Sequence, residues 1–490
     1  MQLSFWTDAE SDYEDPIGKR RRFWVALLVA ALAGFFGSGL WGPGITLGRE
    51  QQGDETLAAK TIAHLRSGAG YDTMSVVEID RDGAREVRHG DDQGEHWELG
   101  GLTETFTGHV LADAVERSEV TLDDPLERHL PELAGSPVGA VTLGDLATHH
   151  GGVPGVVPGQ GVRLALAPLT LRDPYRSSTG ELLSQARQLT LGGQGAYAHS
   201  DIGAALLGHA VARATGQPDW PSAVRVRLLG PLGMADTVFA ATTDQAPGGA
   251  VQGHRPNGRK PGPWLAEGMV PAGVGGWTTT ADLTRYAQAL LAGTAPGMAA
   301  LEPQAQVGAA GRIGATWLIS PGPEDRTLTW HNGRTGGGSS IVLLDRATGR
   351  AVIAVNNSAT SVDALGAGLI GDAETPPRSP GIVEVIAVVV LLLAAVWIIR
   401  RSLRATRRTQ LIEAGVDLLA IALLTAILGD WVSAPGWMHG IGWGLGLGGL
   451  LLGVRRARSL PWWGPSPRAD KIQLAISGAA LLLVLGLIVV

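Results

Sequence analysis

Cysteine is missing altogether from the 490 residues. That excludes a disulfide, a thiolate nucleophile and a thiolate metal site, and it leaves the redox compartment unread. Charge is sparse, at 17% of residues with a net charge of -7, and no basic patch sits in the middle of the chain. Nucleic-acid binding is therefore not expected. Lysine is absent between Lys60 and Lys260. No cofactor motif and no internal repeat appear, so neither a cofactor nor a metal is expected from motifs. Oligomeric state is not written in the pattern.

What the chain does have is apolar length. Residues 23–41, FWVALLVAALAGFFGSGLW, follow Lys19-Arg20-Arg21-Arg22. About 20 apolar residues span a bilayer, so this segment reads as an uncleaved anchor. A signal peptide is the alternative, against which the acidic start AESDYED counts. Four more apolar segments cover 382–399, 411–429, 437–454 and 472–490. Arg400, Arg401, Arg404, Arg407 and Arg408 follow the second segment. Arg455, Arg456, Arg458, Arg468 and Lys471 lie between the fourth and fifth, and 430–436 carries no Lys or Arg. With residues 1–22 as a cytoplasmic tail, every basic cluster stays inside and the large middle region is exported. Trp24, Trp41, Trp397, Trp431, Trp437, Trp462 and Trp463 near span ends fit an interfacial belt. Glu413, Asp417 and Asp430 are the acidic exceptions in or beside the spans. Such groups usually face a bundle interior or water, and none is assigned a function. The expectation is a multi-pass cell-membrane protein whose partner is the lipid bilayer. The run WGLGLGG at 443–449 suits close helix packing.

The middle region, 42–372, mixes helix and strand, and AETPPRSP at its end begins a Pro-rich linker over 373–381. Residues 54–67, 202–215 and 281–292 read as helices, the second ended by Gly216. Ser75–Ile79 reads as a strand with a turn and a second short strand behind it. Ile341–Leu344 and Ala351–Val355 flank Asp345–Arg350 as a hairpin. In WELGGLTETFTGHVLADAVERSEVTLDDP, at 97–125, the positions Leu102, Phe106, Val110, Leu111 and Ala114 recur at helical spacing between two turns. Helices between separated strand runs predict an α+β domain with an antiparallel sheet, joined to an all-α transmembrane bundle of four helices over 382–490.

Six blocks in a fixed order carry a resemblance. They are ELGGLTETFTGHVLADAVERSEVTLDDPLERHLPEL, then VTL with LATHHGGVP, HSDIGAALLGHAV, GPLGMADT, PAGVGGWTTTADL and WHNGRTGGGSS. Together they resemble the serine β-lactamase-related and penicillin-binding-protein-like hydrolases of class C-like type. The resemblance implies a β-lactamase/transpeptidase-like domain: an antiparallel sheet with helices on both sides and a helical subdomain. It also implies three motifs. Ser-x-x-Lys supplies an acylated nucleophile and its amine one helical turn on. Tyr-x-Asn supplies a proton carrier. A Lys- or His-led strand motif positions the substrate.

Carried over residue by residue, the first motif is lost. Gly101 falls at the Ser and Glu104 at the Lys. His199 falls at the Tyr and Asp201 at the Asn, with Tyr197 two residues early. His331-Asn332-Gly333 is kept, followed by Thr335-Gly336-Gly337. The Ser usually found after the family's His-x motif is also lost, at Gly151. Glycine cannot form an acyl-enzyme, and losing the nucleophile removes the covalent route. No residue is therefore assigned as catalytic, and whether the chain is an enzyme stays open.

The leading expectation is a membrane-anchored, catalytically degenerate relative. Its cleft would bind a cell-wall peptide or a protein partner, with Glu104 beside His199 as a charge-complementary floor. A second reading keeps an enzyme. Glu104 acts as base on a water with His199 and His331, or two His and a Glu hold a metal. A third assigns the function to the membrane bundle, as scaffold or transporter with a sensor domain. His149 and His150 are expected only to bond the turn behind them, and Asp123 and Asp124 to cap and brace their segment. Asn356 and Asn357 are expected to shape a turn, and His331 to line the cleft.

Overall fold

In the computed structural model, described residues are 16–41, 44–65, 70–157, 159–371, 382–429, 431–432 and 436–489. The start of the N-terminal tail, the Pro-rich linker and Asp430 lie outside them. The chain divides into two compact units, Gly44–Ser379 and the pair Met1–Pro43 with Pro380–Val490.

The larger unit is built on a nine-stranded antiparallel sheet. Its strands are β1 (Gln51–Gly53), β2 (Met74–Asp80), β3 (Gly83–His89), β7 (Ala305–Val307), β8 (Gly311–Ile313), β9 (Leu318–Pro321), β10 (Thr327–Arg334), β11 (Ser339–Asp345) and β12 (Arg350–Asn356), in the order β1-β3-β2-β12-β11-β10-β9-β8-β7. A small sheet pairs β4 (Trp97–Glu98) and β5 (Val238–Phe239) with β6 (Gly276–Thr278). The expected hairpin is β11–β12, closed by Asp345 opposite Arg350. Its alternation sorts side chains to two faces. Ala351, Ile353 and Val355 join the larger core, whereas Val352 and Ala354 join a smaller core with Ile341 and Leu343. Helices α1 (Glu55–Leu65) and α5 (Asp363–Gly371) supply the smaller core through Leu57, Leu365 and Leu369. Helices α2 (Glu104–Glu116), α3 (Asp201–Ala214) and α4 (Thr280–Ala292) supply the larger through Phe106, Leu206 and Tyr286.

Two elements differ from the periodicity reading. Trp97 and Glu98 form a strand rather than a turn, because Thr278 and Trp277 offer pairing partners distant in sequence. Gly100–Thr103 is a 3-10 turn, so Leu102 precedes the helix and α2 begins at Glu104. Gly100 has φ 56, which suits glycine and not a helix start.

In the other unit, four helices among the described residues are long and apolar enough to cross a membrane: Val385–Leu403, Arg408–Leu428, Gly436–Val454 and Pro467–Gly486. The apolar part of the first helix, Pro16–Trp41, is the shorter Phe23–Gly37. The glycines of Gly436–Val454 allow close approach. A Cβ on Gly444 would lie 2.6 Å from the Ala30 carbonyl oxygen, and one on Gly449 2.4 Å from Ile399. Glu413 is buried and pairs with Arg401, which also bonds Asp417 at 2.9 Å.

Candidate functional site

A cavity of about 260 Å³ opens between the 3-10 turn ahead of α2, the start of α3 and the end of β10. Its lining includes Gly101, His149, Tyr197, His199, Asp201, Thr316 and the β10 run His331–Arg334. Thus Gly101, His199, Asp201, His331 and Gly333, far apart in sequence, share one pocket, with Glu104 directly behind its wall.

Glu104 is the centre of the arrangement. It is 0% exposed. His149 Nε2 lies 3.4 Å from its Oε2, His199 Nε2 3.5 Å from its Oε1, and His331 Nε2 3.9 Å from Oε2. None of these is an aligned hydrogen bond, and both carboxylate oxygens lack one. The His199 contact is one between opposite charges in a site of low dielectric, where such a contact counts for more than in water. Burial works against the Glu104 charge. The contacts from His149 and His199 outweigh it and hold the carboxyl well below the usual carboxylate range.

The three imidazoles are held differently. Burial draws His199 down, but the contact and charge of Glu104, with the charge of Asp201, raise it to about 9. Its ring is therefore a cation at neutral pH, and its side chain remains 46% exposed. Its Nδ1 lies 3.7 Å from Asp201 Oδ1. Asp201 is itself pushed up to about 6 by burial and by Glu104. Burial pushes His331 down to about 4, against the pull of Glu104, so this ring is neutral. His331 Nδ1 donates to the Asn332 carbonyl at 2.8 Å, which leaves an Nε2 lone pair toward Glu104. His149 takes a long bond from the Ser200 N–H at Nδ1, 3.4 Å, so its Nε2 hydrogen faces the carboxylate.

Local folding explains these placements. Ser200 caps α3, accepting from the Gly203 N–H at 2.9 Å, and this fixes His199 just ahead of the helix. His149 has φ 57, a left-handed backbone rare for a residue with a side chain. The Ala198 N–H donates to the His149 carbonyl at 2.9 Å and ties the two histidine segments together. The residue pattern does not reveal this third imidazole, since His149 reads there as a turn residue. The positive φ that turns it inward leaves no mark in the sequence. His150 bonds the Thr148 and Gln306 carbonyls instead.

The hydroxyls nearby are placed away from nucleophilic work. Thr316 is the one Ser or Thr in the cavity lining among the described residues, and its hydroxyl donates to the Glu104 backbone carbonyl at 3.2 Å. Thr105 donates to the Leu102 carbonyl at 2.7 Å. Tyr197 stands edge-on to His149 and His150, and burial with the Glu104 charge raises its hydroxyl above its ordinary value. Tyr175 donates to Asp201 at 3.4 Å. On the opposite wall, Gly333 packs under Leu99, and Thr335 donates to Glu98.

Geometry and order of segments match a known family: the Beta-lactamase family model covers residues 59–374. This chain belongs to the beta-lactamase family. Among curated proteins it is similar to a beta-lactamase of Escherichia coli (strain K12), 43% identical over 63 residues, 13% of this chain and 17% of that protein. It is also similar to a beta-lactamase of Pseudomonas fluorescens, 27% identical over 201 residues, 39% of this chain and 49% of that protein. The chain thus spans half or less of the curated relatives it matches. Among solved structures, a class C beta-lactamase in complex with cefoxitin superposes with TM-score 0.53 at 18% identity, over 62% of this chain and 94% of that one. The octameric penicillin-binding protein homologue from Pyrococcus abyssi superposes with TM-score 0.54 at 17% identity, over 68% and 80%. Identities this low speak to the fold. Gly101, the position at which the resemblance led a nucleophile to be expected, lines the cavity.

Proposed function

We propose that this member of the beta-lactamase family is a membrane-anchored binding protein whose cleft takes a ligand without forming an acyl-enzyme. The observation that carries the reading is the pair Gly101 and Glu104. The first offers no oxygen to the cavity, and the second puts a carboxylate among three imidazoles where an amine would be needed. No lysine lines the cavity among the described residues. Acyl transfer needs an activated nucleophile, and neither half of that pair is in place.

The charge inside the cavity favours an anion. His199 is held as a cation, and Arg334 lines the same space. A cell-wall peptide ending in a carboxylate fits that field, as does an acidic segment of a partner protein. The large unit lies on the extracytoplasmic side in this reading, because the basic clusters flanking the apolar segments belong inside. Hydrolysis with Glu104 as general base is disfavoured. A carboxylate held so far below its usual range is a weak base.

The test uses the full chain in detergent. Intact mass is recorded after incubation with a reactive β-lactam and with a chromogenic ester, and calorimetry follows a peptide ending in D-Ala-D-Ala. The expected result is no covalent adduct, no ester turnover and saturable peptide binding. A stoichiometric adduct at any residue overturns the reading.

A further inference from the structure

We propose that the pocket holds one divalent transition-metal ion, ligated by the Glu104 carboxylate and the Nε2 atoms of His149 and His199. This metal site deepens the binding reading and rests on it only in that acyl-enzyme chemistry has left the space. Three independent features carry it.

The first is donor chemistry. Two imidazole nitrogens with one carboxylate suit Zn²⁺, Co²⁺ or Ni²⁺ rather than Ca²⁺ or Mg²⁺. The second is spacing. Donor atoms of these three residues all lie within 4.8 Å of one another. In a tetrahedral centre with bonds of about 2.0–2.1 Å, neighbouring donors stand about 3.3 Å apart. His149 Nε2 stands 3.4 Å from Glu104 Oε2 and His199 Nε2 3.5 Å from Oε1, so each imidazole has that spacing to its own carboxylate oxygen. The third is the carboxylate itself. Glu104 is fully buried, and neither oxygen has a hydrogen bond. A buried polar group left this way is costly, and a cation among the rings would satisfy both oxygens.

The surroundings agree with the proposal in most respects. Metal-bound histidines commonly pass their other ring nitrogen to a carboxylate or carbonyl. His199 Nδ1 faces Asp201 at 3.7 Å. His331 Nε2, 3.9 Å from Glu104, presents a further lone pair to the same place. Two concessions are made: ligation through Nε2 puts the His149 proton on Nδ1 and gives up the long bond from Ser200, and His199 releases its Nε2 proton when the ion binds. The remaining coordination position faces the cavity beside Gly101, whose missing side chain leaves it open to water or to an anionic ligand. Three protein ligands and one open position is the arrangement of metal sites that take up a ligand.

The experiment is a Co²⁺ titration of the metal-stripped full chain in detergent, read by visible absorption and by metal content. One equivalent is expected to bind with the absorption of a low-coordinate ion. His199→Asn, at a half-exposed position, and Glu104→Gln should each weaken uptake by at least about tenfold. His150→Ala, whose ring lies outside the cluster, should leave it unchanged. Absence of saturable one-equivalent uptake overturns the proposal, and so does uptake that survives in the Glu104→Gln/His199→Asn double variant. Covalent labelling by a β-lactam would sink the non-acylating reading and is scored separately, so the two failures are distinguishable.

Discussion

The two walls of the pocket both carry glycine, for opposite reasons. On the strand wall, a Cβ on Gly333 would lie 1.8 Å from the Leu99 carbonyl oxygen and 2.7 Å from Ser340 Oγ. Packing forbids any side chain there. On the helix wall, a Cβ on Gly101 would meet nothing nearer than the Asn332 carbonyl oxygen at 3.3 Å, then His331 Cε1 at 3.8 Å. Gly101 also lacks the positive φ of its neighbour Gly100. A Cβ can therefore be accommodated at 101 with a shift of a few tenths of an ångström. What is missing from that wall is missing chemically, not for want of room.

Four measurements test this contrast. Gly333→Ala should cost about 3 kcal/mol, because overpacking against backbone has no cheap relief. A shift in denaturation midpoint below a third of that would mean the strand wall is loose. Asp124→Asn comes next and tests a buried carboxylate of the opposite kind to Glu104. Asp124 is fully engaged: it accepts from the Thr121 N–H and hydroxyl and from Arg128 at 2.7 Å, beside His129 at 3.0 Å. Burial opposes its charge, but His129 and Thr121 outweigh that and hold it down at about 2. A depressed carboxylate stabilises the fold above its unfolded pKa and loses that stabilisation as pH falls through the folded one. The variant should thus lose about 2 kcal/mol near neutrality. Its deficit should shrink as pH is lowered from about 4 toward about 2. A deficit independent of pH over that window would show that the charge is not the cause.

Smaller still, Gly101→Ala should change stability by no more than about 1 kcal/mol, as the helical gain from losing a glycine offsets the tight contact. A loss as large as that of Gly333→Ala would erase the distinction between the walls. Last comes a chemical change with no expected signal. Gly101→Ser should restore a hydroxyl yet give no β-lactam adduct by intact mass, because no amine stands at 104. A fast adduct would show that His331 or Glu104 serves as base.

Much of the molecule is legible in the chain. The order of the six blocks points to the family, and the spacing from Gly100 to Glu104 names two positions, 101 and 104, that the fold sets at the pocket wall. Alternation in 351–355 marks two buried faces. Asp124 is readable as a brace because its partners lie within five residues. His149 is not readable as a partner of Glu104. Its approach depends on a left-handed turn and on a bond to Ala198, and neither has a local residue signature. Nor can spacing tell Gly101 from Gly333, since a glycine's reason for being there lies in its neighbours.

The glycine at 101, the apolar helices and the strand alternation follow from the order of residue types alone, because each is a property of side chains and their period. Folding added what no local pattern holds: one buried carboxylate faces three rings, and one glycine is a packing requirement while another is an open position. Distances between segments far apart in sequence arise only when the sheet and helices close, and electrostatics at such short range depends on little else.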